Sequence, residues 1–551
     1  MLDSIATLKK NAWIGPASAF LVALLLFSIN LDRPPHPDEL HHVLAAQHLL
    51  ETGRPLIGEG EYWRGILHTW MVAISYEVFG EGLDSARIPP VLLVALVAPI
   101  LFVWVRREAG SSAAWLTAVL FISSPFTVEI AQFSRFYGLQ MFCFVLGSLC
   151  IYVAVTRELS LARRLLLGGG ATALLVTALS LQVTTLIGLF GVAVWAVGLA
   201  ILRFFMSPMI NVVVKKSVAV GLVLAGIGIL AVAYATGVLE LAWDSYRATS
   251  LTNDASRNEF WFYHVRFLLF YPTLWPLVGV LAAFAIVRNP KVAWFSISIF
   301  VVSFLLASFA GPKNTRYLSF APPFLAILWG IGLAYVLPAL WRYTEVTRAR
   351  LIDTLTLTHR SKSATGTAAV ALALAIVFVM NPFWIRTAAL IGNIALPMEI
   401  PATDWRAARE ALAAWTERAD MMITTEELGA IYFLGRSDVR FSPSKLKELP
   451  ADQRKEFGID FRTGRPIITK PESVEQLMEC FERGFVVGPI EHWGSPILIS
   501  EAVQAVLTRH AKPIEVPRES HLYAWGWARE RRETKPDYCA DLSRFSGRQM
   551  D

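Results

Sequence analysis

Charge is what this chain has least of. Only 17% of its 551 residues are Asp, Glu, Lys or Arg, against roughly a quarter in a soluble globular protein, and that deficit excludes an ordinary soluble fold. The formal net charge of +6 is modest and comes from loop lysines and arginines, so a nucleic-acid partner is not expected. Cysteine is equally sparse. Four cysteines exclude a disulfide-built scaffold. Cys143 and Cys150 share one apolar run and read as packing residues. Cys480 and Cys539 lie in a hydrophilic tail, and spacing alone leaves their pairing open. No D-x-D motif occurs, and no glycine-rich phosphate loop follows a strand, since the Gly168–Gly170 triplet sits inside an apolar run. A cytosolic nucleotide-sugar domain is thereby disfavoured. Internal repeats and low-complexity tracts are absent too.

What is present is apolar length. Runs able to cross a hydrocarbon core of about 30 Å are expected at 13–30, 87–105, 112–128, 137–155, 165–181, 184–202, 217–238, 266–287, 292–310, 317–340 and 365–385. The first is too long for a signal h-region and reads as a retained span. The 15-residue stretch 66–80 is ambiguous, and loop charge decides it. If it does not cross, Lys9, Lys10, Arg106, Arg107, Arg157, Arg163, Arg164, Arg203, Lys215, Lys216 and the basic connector 342–363 all share one face. That asymmetry makes 66–80 a juxtamembrane helix and gives eleven spans with a cytoplasmic N-terminus. Residues 386–551 regain ordinary charge density. They alternate strand-like runs such as MMITT and GFVVG with amphipathic patterns such as DWRAAREALAAWTERA, as expected of an external α/β domain.

The unusual polar residues gather in the outer loops. The first loop carries DRPPHPDELHHVL, with Asp38 and Glu39 among His36, His41 and His42, and then GEGEYWRGILH. VEIAQFSRFYGL holds Glu129, Arg135 and Tyr137, and GPKNTRYL holds Lys313, Arg316 and Tyr317. Mid-span ionisable groups, which an ion-coupled transporter needs, are nearly missing. A carboxylate at the outer interface can serve as a general base toward a hydroxyl, with nearby cations holding a phosphate.

In order, PDE after the first span, FG…ARIPP, SRFYGLQMF and KNTRYLSFAPPFLAIL resemble the membrane glycosyltransferases of the GT-C superfamily. They are most similar to protein O-mannosyltransferases, lipid A aminoarabinose transferases and rhizobial galacturonosyltransferase-like proteins. The resemblance covers most of residues 1–385. It implies a polytopic α-helical membrane domain over 1–385, followed by an extracytoplasmic α/β domain over 386–551. It also implies inverting transfer of a sugar from a polyprenyl-phosphate donor to a hydroxyl of a lipid, glycan or protein acceptor. The expected place is the outer face of a bacterial inner membrane, with membrane lipids as neighbours. Carried over, Asp38 is the base, its basicity raised by partial burial, and Glu39 orients the acceptor or assists Asp38. Arg135 and Tyr137 lie near sugar and phosphate, and Lys313 and Arg316 hold the donor phosphate, followed by Tyr317. Relatives place a second carboxylate where this chain has Gly138 and Gln140, so Glu129 is the substitute acid. Arg64 and His68 fall in RGILH, where relatives carry a Pro-rich turn, and they complete the expected binding set.

Each assignment has a plainer competitor. Asp38 could simply cap a helix, and the arginines could snorkel to headgroups. Tyr62, Trp63 and Tyr137 could belong to an interfacial aromatic belt, while His68 and His264 could be satisfied polar residues. No cofactor is expected. The one metal alternative is a divalent cation on Asp38 with His36, His41 and His42, whose spacing matches no strong ligand pattern; Glu59 and Glu61 are the other loop carboxylates considered for metal or substrate. Against the transferase stand a flippase of lipid-linked saccharides and a sensor anchored by its spans.

Overall fold

The computed structural model describes residues 13–237, 240, 260–310, 313–354, 382–394, 402–495, 498–530 and 535–546. Among them, six helices are long and apolar enough to cross a membrane: Leu83–Ala109, Tyr137–Thr156, Leu161–Leu181, Thr185–Met206, Pro290–Phe309 and Pro322–Tyr343. The chain is a multi-pass helical membrane protein with a C-terminal sheet domain.

The expected span at 112–128 is broken. Ser111–Ile122 and Pro125–Ala131 meet at 61°, because Pro125 has no amide hydrogen to continue the helix and Ser124 starts a new one by accepting from the Thr127 amide. The expected span at 266–287 is likewise two helices, Phe262–Phe270 and Val278–Arg288, separated by a segment containing Pro272 and Pro276. The first expected span contains only the 14-residue helix Ile14–Phe27, and Val212–Ala235 occupies the place of 217–238. Residues 66–80 form the short apolar helix Ile66–Phe79. The helix from Pro322 runs to Thr354, so the start of the basic connector is helical. Span 365–385 lies outside the described residues except at its end, where the helix Pro382–Gly392 begins and continues past residue 385. That helix packs on the bundle: Phe383 is buried against Tyr271, and the Thr387 hydroxyl donates to the Ser123 carbonyl at 2.6 Å.

The first long loop carries the helix Pro37–Thr52 and a two-stranded ribbon, β1 (Leu56–Ile57) and β2 (Gly60–Glu61). In the C-terminal region seven strands form one sheet: β3 (Met421–Thr424), β4 (Val439–Phe441), β5 (Gly458–Ile459), β6 (Pro466–Ile468), β7 (Arg483–Pro489), β8 (Lys512–Pro513) and β9 (Leu522–Ala528). Their order is β5-β6-β4-β3-β7-β9-β8. The central β6-β4-β3-β7 block is parallel and the outer strands pair antiparallel. Helices cover both faces, so the central strands read as continuous apolar runs. One face packs Met421, Ile423, Val486 and Trp527 against the helices Pro471–Cys480 and Glu501–His510. Cys480 is disulfide-bonded to Cys539.

The other face of the sheet positions the site. Met422, Phe485 and Val487 share a buried cluster with Trp405 and Leu412 from the helix Trp405–Arg418, and with Leu40, Val43, Ile57, Tyr62 and Val72 from the first long loop. Loop and C-terminal domain therefore share one apolar core. Its edge is fixed by Arg406 on Asp32 at 2.7 Å, Arg465 on Glu59 at 3.4 Å, and the Glu59 amide on the Thr463 carbonyl at 3.1 Å. A Cβ at Gly60 would come within 2.5 Å of the Arg462 carbonyl oxygen. Glycine is what lets these two backbones meet.

Candidate active site

The helix Pro37–Thr52 begins with a capping box. The His36 imidazole accepts from the Asp38 amide at 3.0 Å, and Glu39 reaches back to the His36 amide at 2.9 Å. His36, not Asp38, is the cap, which leaves the Asp38 carboxylate free to project from the helix N-terminus, where negative charge is favoured. Arg135 Nη1 lies 2.8 Å from Asp38 Oδ1, and Arg316 Nη1 lies 3.4 Å from Asp38 Oδ2. Burial alone would raise this carboxyl, but the charges of Arg135, His36 and Arg316 outweigh it and hold it well below the usual carboxylate range. The expectation that burial raises the basicity of Asp38 is reversed here. Two cations reach the carboxylate first.

Glu39 faces the other way. It is 2% exposed. Its two oxygens take both nitrogens of a bidentate pair from Arg87, each at 2.8 Å, together with the Ser134 amide at 2.9 Å. Arg87, fully buried, also donates to the carbonyls of Leu31 and Arg33. Fully engaged by these donors, Glu39 does not line the cavity that Asp38 faces. It fixes the angle at which the Asp38 helix meets the bundle. Arg87, the arginine of ARIPP, is the partner that sequence reasoning missed.

The three motifs are joined by direct contacts. A Cβ at Gly138 would sit 3.1 Å from Pro90 of ARIPP. Gln140 accepts from the Ser319 hydroxyl at 3.0 Å and donates to Thr185 at 2.9 Å, so it bridges SRFYGLQ to KNTRYLS. The two positions without an acid thus do packing and bridging work. Arg135 is buried, with its guanidinium over the Phe136 ring and Nη2 3.4 Å from the Tyr62 hydroxyl. Arg316 lies 4.6 Å over Phe133 and is steadied by Asn314 at 3.1 Å.

These residues line a cavity of about 690 Å³, bounded on one side by Asp38, Arg64, Arg135, Tyr137, Arg316 and Tyr317. Its far wall, unforeseen in the sequence, belongs to the C-terminal domain: Glu426, Glu427, Arg440, Lys445, Phe461 and Arg462. Arg64 is held by Gln182 at 3.0 Å. Lys313 is buried and does not line the cavity, so the expected Lys313–Arg316 pair is represented there by Arg316. Glu129 is half-buried and outside the lining, within electrostatic reach of Arg316, Arg33, Arg266 and Arg386. His68 is fully buried behind the site, its ring 4.9 Å from that of His42. It does not line the cavity.

The histidines do not converge. His36 caps the helix, His41 Nδ1 approaches the Asp38 carbonyl at 3.3 Å, and His42 pairs with Thr69 at 2.9 Å. Burial, with help from Arg135, lowers His41 to about 3, so it is uncharged at neutral pH. Among the described residues no group of three or more His, Cys, Asp or Glu is arranged to hold a metal.

No protein-family model matches the chain. A curated undecaprenyl phosphate-alpha-4-amino-4-deoxy-L-arabinose arabinosyl transferase from Shewanella sediminis is 28% identical over 124 residues, which is 22% of this chain and 23% of that protein. The matched region is thus less than a quarter of this curated relative. Among solved structures, ArnT from Cupriavidus metallidurans in the apo state superposes with a TM-score of 0.60 at 15% identity, covering 98% of this chain and all of the other. The same protein bound to undecaprenyl phosphate gives 0.58 at 14% identity over 93% and 97%. The oligosaccharyltransferase AglB from Archaeoglobus fulgidus, in complex with an inhibitory peptide and a dolichol-phosphate, gives 0.50 at 12% identity over 90% of this chain and 72% of that one. The chain shares its fold with these solved proteins.

Proposed function

We propose that the chain is an inverting glycosyltransferase that moves a sugar from a polyprenyl-phosphate donor to an acceptor hydroxyl at the outer face of a bacterial inner membrane. The observation that carries the reading is the Asp38 carboxylate held by Arg135 and Arg316 in the wall of a cavity of about 690 Å³. The same fold occurs in a protein solved with undecaprenyl phosphate bound, which supports a lipid-linked donor. The Cys480–Cys539 disulfide supports an oxidising compartment for the C-terminal domain. We take residues 1–385 as the catalytic membrane unit and 386–551 as the external domain.

Without donor, Asp38 is a weak base because two guanidinium groups hold its charge. A donor phosphate arriving at Arg316 competes for that cation, and the carboxylate becomes more basic as its partner is drawn off. Asp38 then accepts the acceptor's hydroxyl proton while the hydroxyl oxygen forms a bond to the anomeric carbon. The anomeric C–O bond to phosphate breaks with its electron pair on the phosphate oxygen, where Arg316 and Arg135 offset the charge. Attack opposite to the leaving group inverts the centre. Glu39 and Arg87 act by position only.

The test is release of undecaprenyl phosphate by the purified full chain from a panel of radiolabelled undecaprenyl-phosphate sugars, with membrane extracts as acceptor. Release by wild type and its loss in Asp38→Asn is the expected result. No release with any donor, joined to lipid-linked saccharide crossing a liposome bilayer, would replace the transferase with a flippase.

A further inference from the structure

The two walls of the cavity differ in charge. On the membrane side, Arg64, Arg135 and Arg316 face Asp38 and Glu61, and Glu61 is already paired with Arg54. That wall has cationic charge to spare for a phosphate. The C-terminal-domain wall has none. Arg440 pairs with Glu427 and lies 3.7 Å from Asp460; Arg462 bonds Asp460 at 2.9 Å and Glu448 at 3.3 Å; Lys445 bonds both oxygens of Glu448 at 2.9 Å. Each cation there already has a carboxylate. What remains is a rigid surface of alternating donors and acceptors.

The cavity also carries two exposed aromatic rings, Phe461 on this wall at 64% and Trp63 of the first loop at 58%. Arg462 covers one face of Phe461 at 5.5 Å. Exposed rings next to a neutral polar network present an apolar platform for a flat C–H surface together with hydrogen bonds for many hydroxyls. A phosphate or sulfate headgroup would find no spare cation on this wall, and burying it there would be costly.

Building on the transferase reading, we infer that the acceptor is a carbohydrate. Its sugar ring rests on Phe461 and Trp63, and its hydroxyls bond the Glu427–Arg440 and Glu448–Arg462 pairs. Glu426 lies on the same wall, 8% exposed, and accepts from the Trp405 indole at 3.2 Å. Burial raises its carboxyl to about 7, helped by Glu491 and opposed by Trp405, Arg440 and the Gly429 amide. Near neutral pH a large fraction of it is therefore a donor, which also suits a hydroxyl.

The experiment presents labelled full chain in detergent to an array of immobilised neutral, amino-sugar and uronic-acid oligosaccharides, with immobilised peptides and phospholipid vesicles as comparison arms. Binding of undecaprenyl phosphate is measured separately on the same preparations. Because Phe461 and Trp63 are exposed, Phe461→Ala and Trp63→Ala should fold. The inference predicts oligosaccharide binding by wild type that falls at least tenfold in each variant while undecaprenyl phosphate binding persists. Binding confined to peptides or vesicles, no oligosaccharide binding, or binding equal in wild type and both variants overturns it. Failure of wild type to bind undecaprenyl phosphate counts instead against the donor reading, and the oligosaccharide result still decides the acceptor class.

Discussion

The guanidinium of Arg135 lies 2.8 Å from the carboxylate of Asp38, so the base of the proposed reaction is neutralised by a residue of the SRFYGL segment until something competes for it. This pairing holds Asp38 ionised in the free site. It also makes phosphate affinity and the state of Asp38 two readings of one equilibrium.

Removing the competing carboxylate should therefore help the donor and stop the chemistry. Asp38→Asn is expected to bind undecaprenyl phosphate as tightly as wild type or tighter, while transfer falls by about 10² to 10⁴, the range of a general base. Equilibrium binding of the labelled lipid and a transfer assay on the same preparation check both halves.

Arg316→Gln should do the reverse. A charge-assisted hydrogen bond contributes about 1.5–3 kcal/mol, so affinity for undecaprenyl phosphate should drop by roughly tenfold to a hundredfold. Arg316→Lys should recover part of it, because charge returns without the planar fork. Titration of the lipid against the three proteins measures this.

Glu39→Ala leaves Arg87 buried without its carboxylate. Breaking one side of such a pair costs about 3–5 kcal/mol, and the capping box is lost as well. A clear fall in the thermal unfolding midpoint in detergent is expected. Glu39→Gln, which keeps an acceptor oxygen, should lie between.

Glu426 gives a pH signature. Its folded pKa, about 7, lies above its ordinary value of 4.5, so the folded state holds the proton more tightly than the unfolded state. Its contribution is fully present below about 4.5 and is lost as pH rises through 7. Glu426→Gln should unfold at a higher temperature than wild type at pH 8 and at a similar one at pH 4.5, with a difference of up to about 3 kcal/mol. Unfolding scans at the two pH values decide it.

The Cys480–Cys539 bond closes a separation of 59 residues, and its entropic contribution is about 4 kcal/mol. Reduction, or Cys539→Ser, should lower the stability of the C-terminal domain. Native-state hydrogen exchange of β3 and β7 in wild type and variant reports the change.

Much of this site was legible in the sequence because it follows local rules. The sparse outer arginines and the Asp38 motif mark the cavity's membrane side, and Arg135, Tyr137, Arg316, Tyr317 and Arg64 do line it. What stayed hidden depends on distant contacts. Glu39 looks like a second catalytic acid until Arg87 is seen on both its oxygens. Asp38 looks like a carboxylate whose burial raises its pKa until Arg135 and Arg316 are in place. The kinks at Ser123–Ser124 and around Pro272 are written in proline but masked by hydropathy, which averages over them. The far wall was out of reach, because no periodicity in residues 426–462 indicates that this face turns toward the first loop. The shared apolar core of Leu40, Val43, Trp405 and Phe485 puts it there.

The most direct test is the anomeric configuration of the transferred sugar, read by NMR on product made from a polyprenyl-phosphate donor of known configuration. The account predicts a single inversion with wild type and product formation at least a hundredfold slower with Asp38→Asn. Retained configuration, or product formed by Asp38→Asn at the wild-type rate, would contradict it.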